Sequence, residues 1–250
     1  MRVDASSYAE ATERVLRWAR EPRGRMVCHA NVHMTMEAAD DAGFQTLVNG
    51  SDLVLSDGMP LVWALRRLGV LDATRVYGPT LMLEICRAAA EEGVPIGLYG
   101  GRPETLGLLR ANLVARIPGL RIMYAESPSF RPLDEAEDAA VVDAIVASGA
   151  RVLFVGLGCP KQERWMAARR ERLPLVQLGV GAAFDFHAGR IRQAPVWMQS
   201  AGLEWAFRLA MEPRRLARRY LRHNPRFVLG LARQLLLTGH AGQGTPLRRA

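Results

Sequence analysis

Asp57 ends the run Asp52-Leu53-Val54-Leu55-Ser56 and stands directly before Gly58-Met59-Pro60. A carboxylate in that place can cap the helix that follows. It can equally take a proton from an incoming hydroxyl, a task worth about 10²–10⁴ in rate. The residue pattern leaves both readings open. Lys161 is the only lysine of the chain, set in Gly158-Cys-Pro-Lys-Gln-Glu163. Pro160 suits the first turn of a helix, and helix N-termini favour anions. Lys161 offers a point charge there and Gln162 a donor and an acceptor, a combination suited to a diphosphate or a sugar. A third segment, Gly179-Val-Gly181-Ala-Ala-Phe184-Asp185-Phe-His187, puts an acid and an imidazole just past a glycine turn. Asp185 reads as a ligand for a ribose or base, or as a helix cap. His187 reads as structural.

These residues need a frame. Short aliphatic runs at Met26–Ala30, Leu53–Leu55, Pro95–Tyr99, Leu120–Tyr124, Arg151–Val155 and Leu175–Leu178 alternate with helical patterns. The helical patterns span Ala9–Arg20, Met34–Val48, Met59–Leu68, Leu81–Glu92, Pro103–Arg116, Leu133–Ser148 and Lys161–Arg172. Continuous apolar strands in such a rhythm predict an α/β fold, a Rossmann-like, mostly parallel sheet flanked by helices. Ligands of such sheets bind beyond the carboxyl ends of the strands. This chain places Asn31, Ser56-Asp57-Gly58, Tyr99-Gly100-Gly101, Gly156-Leu-Gly158 and Gly179-Val-Gly181 at those ends. Glycine lets a backbone approach a ligand closely, so the set predicts a phosphate-bearing ligand.

Other chemistries lack their residues. Lys161 is not flanked as a P-loop requires, and the two Gly-x-Gly turns lack the third glycine of a dinucleotide fingerprint. No Gly-x-Ser-x-Gly occurs, and no Asp-x-Asp, the usual carboxylate clamp for a divalent ion on a nucleotide sugar. His33 and Glu37 have i, i+4 spacing, but two ligands do not make a metal site. No metal and no cofactor are therefore expected. The three cysteines, Cys28, Cys86 and Cys159, form no Cys-x-x-Cys pair and fit a reducing cytoplasm. The N-terminus has no apolar segment of the signal-peptide kind. The apolar run Phe227–Leu237 is too short to span a bilayer and contains Arg233.

Charge divides the chain. Of the net +8, all falls in residues 201–250, where ten arginines face Glu204 and Glu212. Residues 1–200 read as a neutral catalytic body, and 201–250 as a basic helical C-terminal appendage facing a polyanion. Arg214, Arg215, Arg218, Arg219 and Arg222 recur at helical spacing and predict one basic face. Phe227, Val228, Leu231, Leu235 and Leu236 predict an apolar face on the next helix. Such a pair suits an anionic membrane surface, where each charge contributes about 1 kcal/mol. No nucleic-acid-binding motif accompanies the charge. Trp and Leu residues between Trp197 and Leu209 suit either a core or a contact in a homo-oligomer.

Taken in order, several segments resemble the WecG/TagA/CpsF glycosyltransferases. They are Ala30-Asn-Val-His33, Ser51–Pro60, Tyr99-Gly-Gly101, Val155–Glu163, Gly179–Phe186, Ala194-Pro-Val-Trp-Met-Gln199, Gly202-Leu-Glu-Trp205 and Arg208-Leu…Glu212-Pro-Arg-Arg. The resemblance spans roughly residues 27–220. It implies inverting, metal-independent sugar transfer from a UDP-sugar to a polyprenyl-diphosphate-linked saccharide, for cell-surface polysaccharide, at the cytoplasmic face of the membrane. It places the general base on Asp57, the donor phosphates and sugar near Pro160–Glu163, and the nucleoside near Gly179–Asp185, Phe184 included. It also implies that the arginine-bearing C-terminal segment docks on the membrane and closes over the active site; the alternative reading is that some of Arg214, Arg215, Arg218, Arg219 and Arg222 bind the lipid diphosphate or the leaving UDP. Two positions depart from the family's pattern and bear on the donor sugar. Where Thr is common, His29 stands, read as a donor to the leaving phosphate or as a wall of the pocket. Pro79-Thr80 follows Gly78 where Asp-Leu is common. Three rival readings remain: an NAD(P)-dependent oxidoreductase, a nucleic-acid-binding module, and a non-catalytic membrane scaffold on the same fold.

Overall fold

The computed structural model describes residues 1–129 and 131–240. Six parallel strands form one sheet, in the order β2-β1-β6-β5-β3-β4. They are β1 (Arg25–Ala30), β2 (Leu53–Ser56), β3 (Ile96–Gly100), β4 (Ile122–Glu126), β5 (Val152–Gly156) and β6 (Val176–Gly179). β6 and β5 form the central pair, and β1 pairs with β6, with Cys28 opposite Gly179. All residues of β2, β3 and β6 are buried, as a sheet covered on both faces requires. One core layer gathers Val27, Leu55, Ile96, Phe154 and Leu178; the other gathers Met26, Cys28, Val54, Tyr99 and Val155. The strand alternation thus feeds two opposite faces.

The helices of the body are α1 (Tyr8–Ala19), α2 (Val32–Asp40), α3 (Ala42–Asn49), α4 (Met59–Arg67), α5 (Gly78–Glu91), α6 (Pro103–Arg116), α7 (Glu135–Ala147), α8 (Lys161–Arg169) and α9 (Ala183–His187). The helix expected over Met34–Val48 is two helices. Asp41 breaks it, because its Oδ1 accepts from the Phe44 N–H at 2.9 Å and caps α3. Asn31 caps α2 in the same way, accepting from the Met34 N–H at 3.2 Å.

Beyond the sheet follow α10 (Val196–Ser200), α11 (Glu204–Met211) and α12 (Pro213–His240). The two separate helices expected in this segment are one, since α12 continues through Pro225. Pro225 sits on the exposed side, where the carbonyl that loses its partner can face solvent. The single basic face is also corrected. Arg215, Arg219, Arg222 and Arg226 point one way, toward the body, whereas Arg214, Arg218, Leu221, Pro225, Val228 and Leu229 share the exposed side. Two of the ten arginines counted in the basic segment, Arg248 and Arg249, lie outside the described residues.

Candidate functional site

A cavity of about 610 Å³ opens at the carboxyl ends of β1, β2 and β6 and is closed on its far side by α11 and α12. Its floor holds His29, Asn31, Asp57, Gly58, Gln162 and Gly181, and its opposite wall Arg208, Arg215, Arg219 and Tyr220.

Asp57 follows β2. It does not cap α4, whose N-cap is Gly58 with no side-chain bond. Its Oδ1 instead accepts from the Gly78 N–H at 2.7 Å, the first residue of α5, a helix from elsewhere in the chain. The expected cap on the following helix is therefore corrected: the carboxylate meets the N-terminus of a different helix, and Asp57 also lines the cavity. Arg75 locks the same turn, its Nε donating to the Asp57 carbonyl at 2.6 Å. Gly78 sits in van der Waals range of both groups: a Cβ there would lie 3.4 Å from the His29 ring and 3.5 Å from Asp57 Oδ1.

His29 is buried on β1. Its Nδ1 lies 2.9 Å from the Gly179 carbonyl oxygen, which can only accept, so Nδ1 carries the proton. Burial pushes its pKa down, against the pull of nearby Asp57. His29 is thus neutral, with an unprotonated Nε2 that has no partner among the described residues. The expected role as a protonated donor to a phosphate is corrected: at neutral pH His29 Nε2 can only accept.

Gln162 draws the two glycine turns together. Its Oε1 accepts from the Gly158 and Gly181 N–H groups, each at 3.1 Å, and its Nε2 donates to Glu163 at 2.7 Å. Glu163 was expected beside the substrate. It is fully buried under Gln162 and does not line the cavity, and burial raises its pKa to about 7. Lys161 is exposed on the first turn of α8, outside the cavity lining, because the turn places Gln162 and Glu163 inward instead. Asp185 is half-buried outside the lining, its pKa raised by burial against Arg215, Arg190 and Arg102. His187 is structural, its Nε2 2.8 Å from the Pro79 carbonyl.

Five further expected substrate contacts, Tyr99, Gly100, Gly101, Gly156 and Phe184, are taken up by packing instead. Gly100, Gly101 and Gly156 end β3 and β5, where a ligand crevice was expected. Phe184 fills it with its own ring: a Cβ on Gly156 would lie 2.7 Å from Phe184 Cδ2, and one on Gly101 3.4 Å away. Gly100 is packed against the Gly156 backbone, where a Cβ would meet its carbonyl at 2.6 Å. Tyr99 is likewise in the core, stacked on Trp165 with ring centres 4.5 Å apart. These residues shape the sheet end and do not line the cavity.

The structure adds residues that local patterns did not reveal. Glu204 of α11 binds the Arg75 guanidinium and accepts from the Tyr77 hydroxyl at 3.0 Å. Arg75 also stacks on Tyr77, its guanidinium carbon 4.1 Å from the ring centre. The C-terminal segment is thereby tied to the Asp57 turn. Arg208, over the Phe186 ring at 5.6 Å, and Arg219 each bury an Nε with no partner among the described residues. With Arg215 they bring three guanidinium cations to the cavity wall, which suits an anionic ligand. For Glu204 and Arg208 the Gly202-Leu-Glu-Trp205 and Arg208 segments were the sequence signal. Of the five arginines expected to bind diphosphate, Arg215 and Arg219 line the cavity. Arg222 pairs with Asp40, and Arg214 and Arg218 face outward.

A parallel α/β sheet places an acid and an imidazole at its strand ends, opposite an arginine-bearing wall. The family model of the glycosyl transferase WecG/TagA/CpsF family matches residues 1–241, nearly the whole chain. The chain belongs to that family, a family of glycosyltransferases that serve cell-surface polysaccharide synthesis. Membership decides against the oxidoreductase and nucleic-acid readings. No helix among the described residues is long and apolar enough to cross a membrane.

Proposed function

We propose that the protein is an inverting glycosyltransferase. It moves a sugar from a UDP-sugar to a polyprenyl-diphosphate-linked saccharide at the cytoplasmic face of the membrane. The reading is carried by one observation: Asp57 and the arginine wall face each other across one cavity. Asp57, held at Oδ1 by the Gly78 N–H, takes the proton of the acceptor hydroxyl as that oxygen attacks the anomeric carbon. The bond to the UDP oxygen breaks on the opposite face, which inverts the centre. Arg208, Arg215 and Arg219 receive the charge that develops on the departing diphosphate. Three arginines on that wall, together with the absence of an Asp-x-Asp sequence, support a transfer step without a metal. Neutral His29 forms part of the cavity wall, and so takes part in choosing the donor through shape.

The apolar lining supplied by Phe227 and Leu231 supports a lipid-borne acceptor. The exposed side of α12 supports peripheral docking, with Arg214 and Arg218 followed by Leu221, Val228 and Leu229. Exposed Val196 and Trp197 on α10 extend the apolar surface. In this reading residues 1–200 form the catalytic body and the segment from residue 201 the docking appendage.

The test is Asp57→Asn against a panel of UDP-sugars and a short-chain prenyl-diphosphate sugar, with product read by mass. Transfer should fall by about 10²-fold or more, with UDP affinity kept within a few-fold. Retention of most activity removes Asp57 from the role of base. No turnover by the parent protein with any donor on its membrane-bound acceptor favours the scaffold reading.

A further inference from the structure

His33 and Glu37 lie one turn apart on α2, and α12 brings His223 to them from 186 residues beyond Glu37. His33 Nε2 is 3.4 Å from Glu37 Oε1, and His223 Nε2 is 3.7 Å from the same oxygen. One ligating atom from each residue falls within 4.8 Å of the other two. These spacings are too long for good hydrogen bonds, which run at about 2.7–3.2 Å. Bonds of about 2.0–2.2 Å to a tetrahedral zinc ion set ligand atoms about 3.4 Å apart. The two imidazole–carboxylate spacings already approach that value, and the two imidazoles, within 4.8 Å of each other, need to close by at most about 1.4 Å.

We propose that His33, Glu37 and His223 form a binding site for a zinc-class divalent ion that clasps α12 onto α2. Two imidazoles and one carboxylate are a donor set for borderline transition metals and a poor one for Mg²⁺ or Ca²⁺. His223 is 6% exposed, and its Nδ1 is buried without a partner among the described residues. Its ring is therefore held in place by packing, with the His33 ring 5.2 Å away at 64°. His33 and His223 also line the large cavity, which leaves the fourth coordination position to water.

The surrounding charges decide how tight the site is. Arg219 stands near His33 and opposes a cation. Arg222 and Arg226 stand near His223, but both are paired with Asp40, which cancels much of their field. The consequence is mechanical. Arg219 and Tyr220 lie on the same helix as His223, so an ion that fixes α12 to α2 also fixes the arginine wall over the cavity. The proposal goes beyond the transfer reaction and routes no step of it through the metal.

The full chain, stripped with a chelator and desalted, is titrated with Zn²⁺ by calorimetry, with Mg²⁺ alongside. Co²⁺ is added separately for its visible spectrum. One Zn²⁺ per chain is expected, with a four-coordinate Co²⁺ band, and no Mg²⁺ uptake. His33→Gln and His223→Gln should each weaken Zn²⁺ at least tenfold, and the pair should abolish the Co²⁺ band. Zinc should also slow proteolytic cleavage at the start of α12 in the parent and not in the double variant. If His223→Gln fails to fold, as judged by near-UV circular dichroism, His33→Gln on the more accessible helix carries the test. Absence of stoichiometric zinc in the parent overturns the proposal. So does zinc uptake unchanged in His33→Gln, or uptake that survives both substitutions and disappears on Cys159→Ser.

Discussion

Two crevices open at the carboxyl ends of this sheet, and the chain treats them oppositely. Between β3 and β5 lie Gly100, Gly101 and Gly156, and the protein fills the space with Phe184. Around the ends of β1, β2 and β6 lie His29, Asp57 and Gly181, and the space stays open as a cavity of about 610 Å³. Both have the glycines expected of a ligand site. Glycine marks a close approach to the backbone, and it does not say whether the approaching group is a ligand or a side chain of the same protein. What separates the crevices is the polar inventory. The filled one presents aromatic carbon, whereas the open one presents a carboxylate, a neutral imidazole and arginines.

The comparison predicts a clean division: damage to the filled crevice costs stability, and damage to the open one costs turnover. Phe184→Ala should remove about 3–5 kcal/mol of stability, read by urea denaturation, with UDP affinity nearly unchanged where the protein remains folded. A large loss of UDP affinity in the folded variant would break the division and return the β3/β5 crevice to the binding site. Arg208→Ala, on the open side, should lower kcat/KM about 10²-fold and shift stability by less than about 1 kcal/mol. The reverse pattern would make Arg208 a structural clamp on Phe186.

Glu163 tests the ground beneath the cavity. Its pKa is raised in the folded protein to about 7 from an ordinary 4.5. A raised carboxyl pKa means the unfolded state loses its proton first, so this group weakens folding as pH rises from about 4.5 to about 7. Glu163→Gln should therefore gain on the order of 2–3 kcal/mol relative to the parent at pH 8. The gain should disappear toward pH 4.5. Parallel stability–pH curves would show that Glu163 is not the titrating group. The smallest effect belongs to Gly101→Ala. There φ is +69°, in the left-handed region, and the expected loss is about 1–2 kcal/mol with turnover unchanged.

Much of the frame was legible in advance because it rests on local periodicity. Apolar runs such as Val152–Val155 and Val176–Leu178 are recognisable without knowledge of their neighbours, and each became a buried strand. The break at Asp41 went unseen because the apolar spacing of α2 runs on into α3, and one capping carboxylate outweighed it. The expected single basic face on α12 failed for a related reason. Helical spacing groups the arginines, but only packing against α2 shows that Arg222 is spent on Asp40 while Arg214 faces outward. Lys161 attracted notice by being unique, yet the turn before α8 put Gln162 inward and left the charge in solvent.

The sequence by itself determined the alternation of strands and helices, the small residues at strand ends and the concentration of arginine beyond residue 200. Residue type and near-neighbour spacing are enough to set those. Only the tertiary structure decided that Asp57 answers the N-terminus of α5, that Phe184 occupies one crevice, and that His223 joins His33 and Glu37. Each is a meeting of groups far apart along the chain. Such meetings depend on how whole elements pack, and local spacing carries no trace of them.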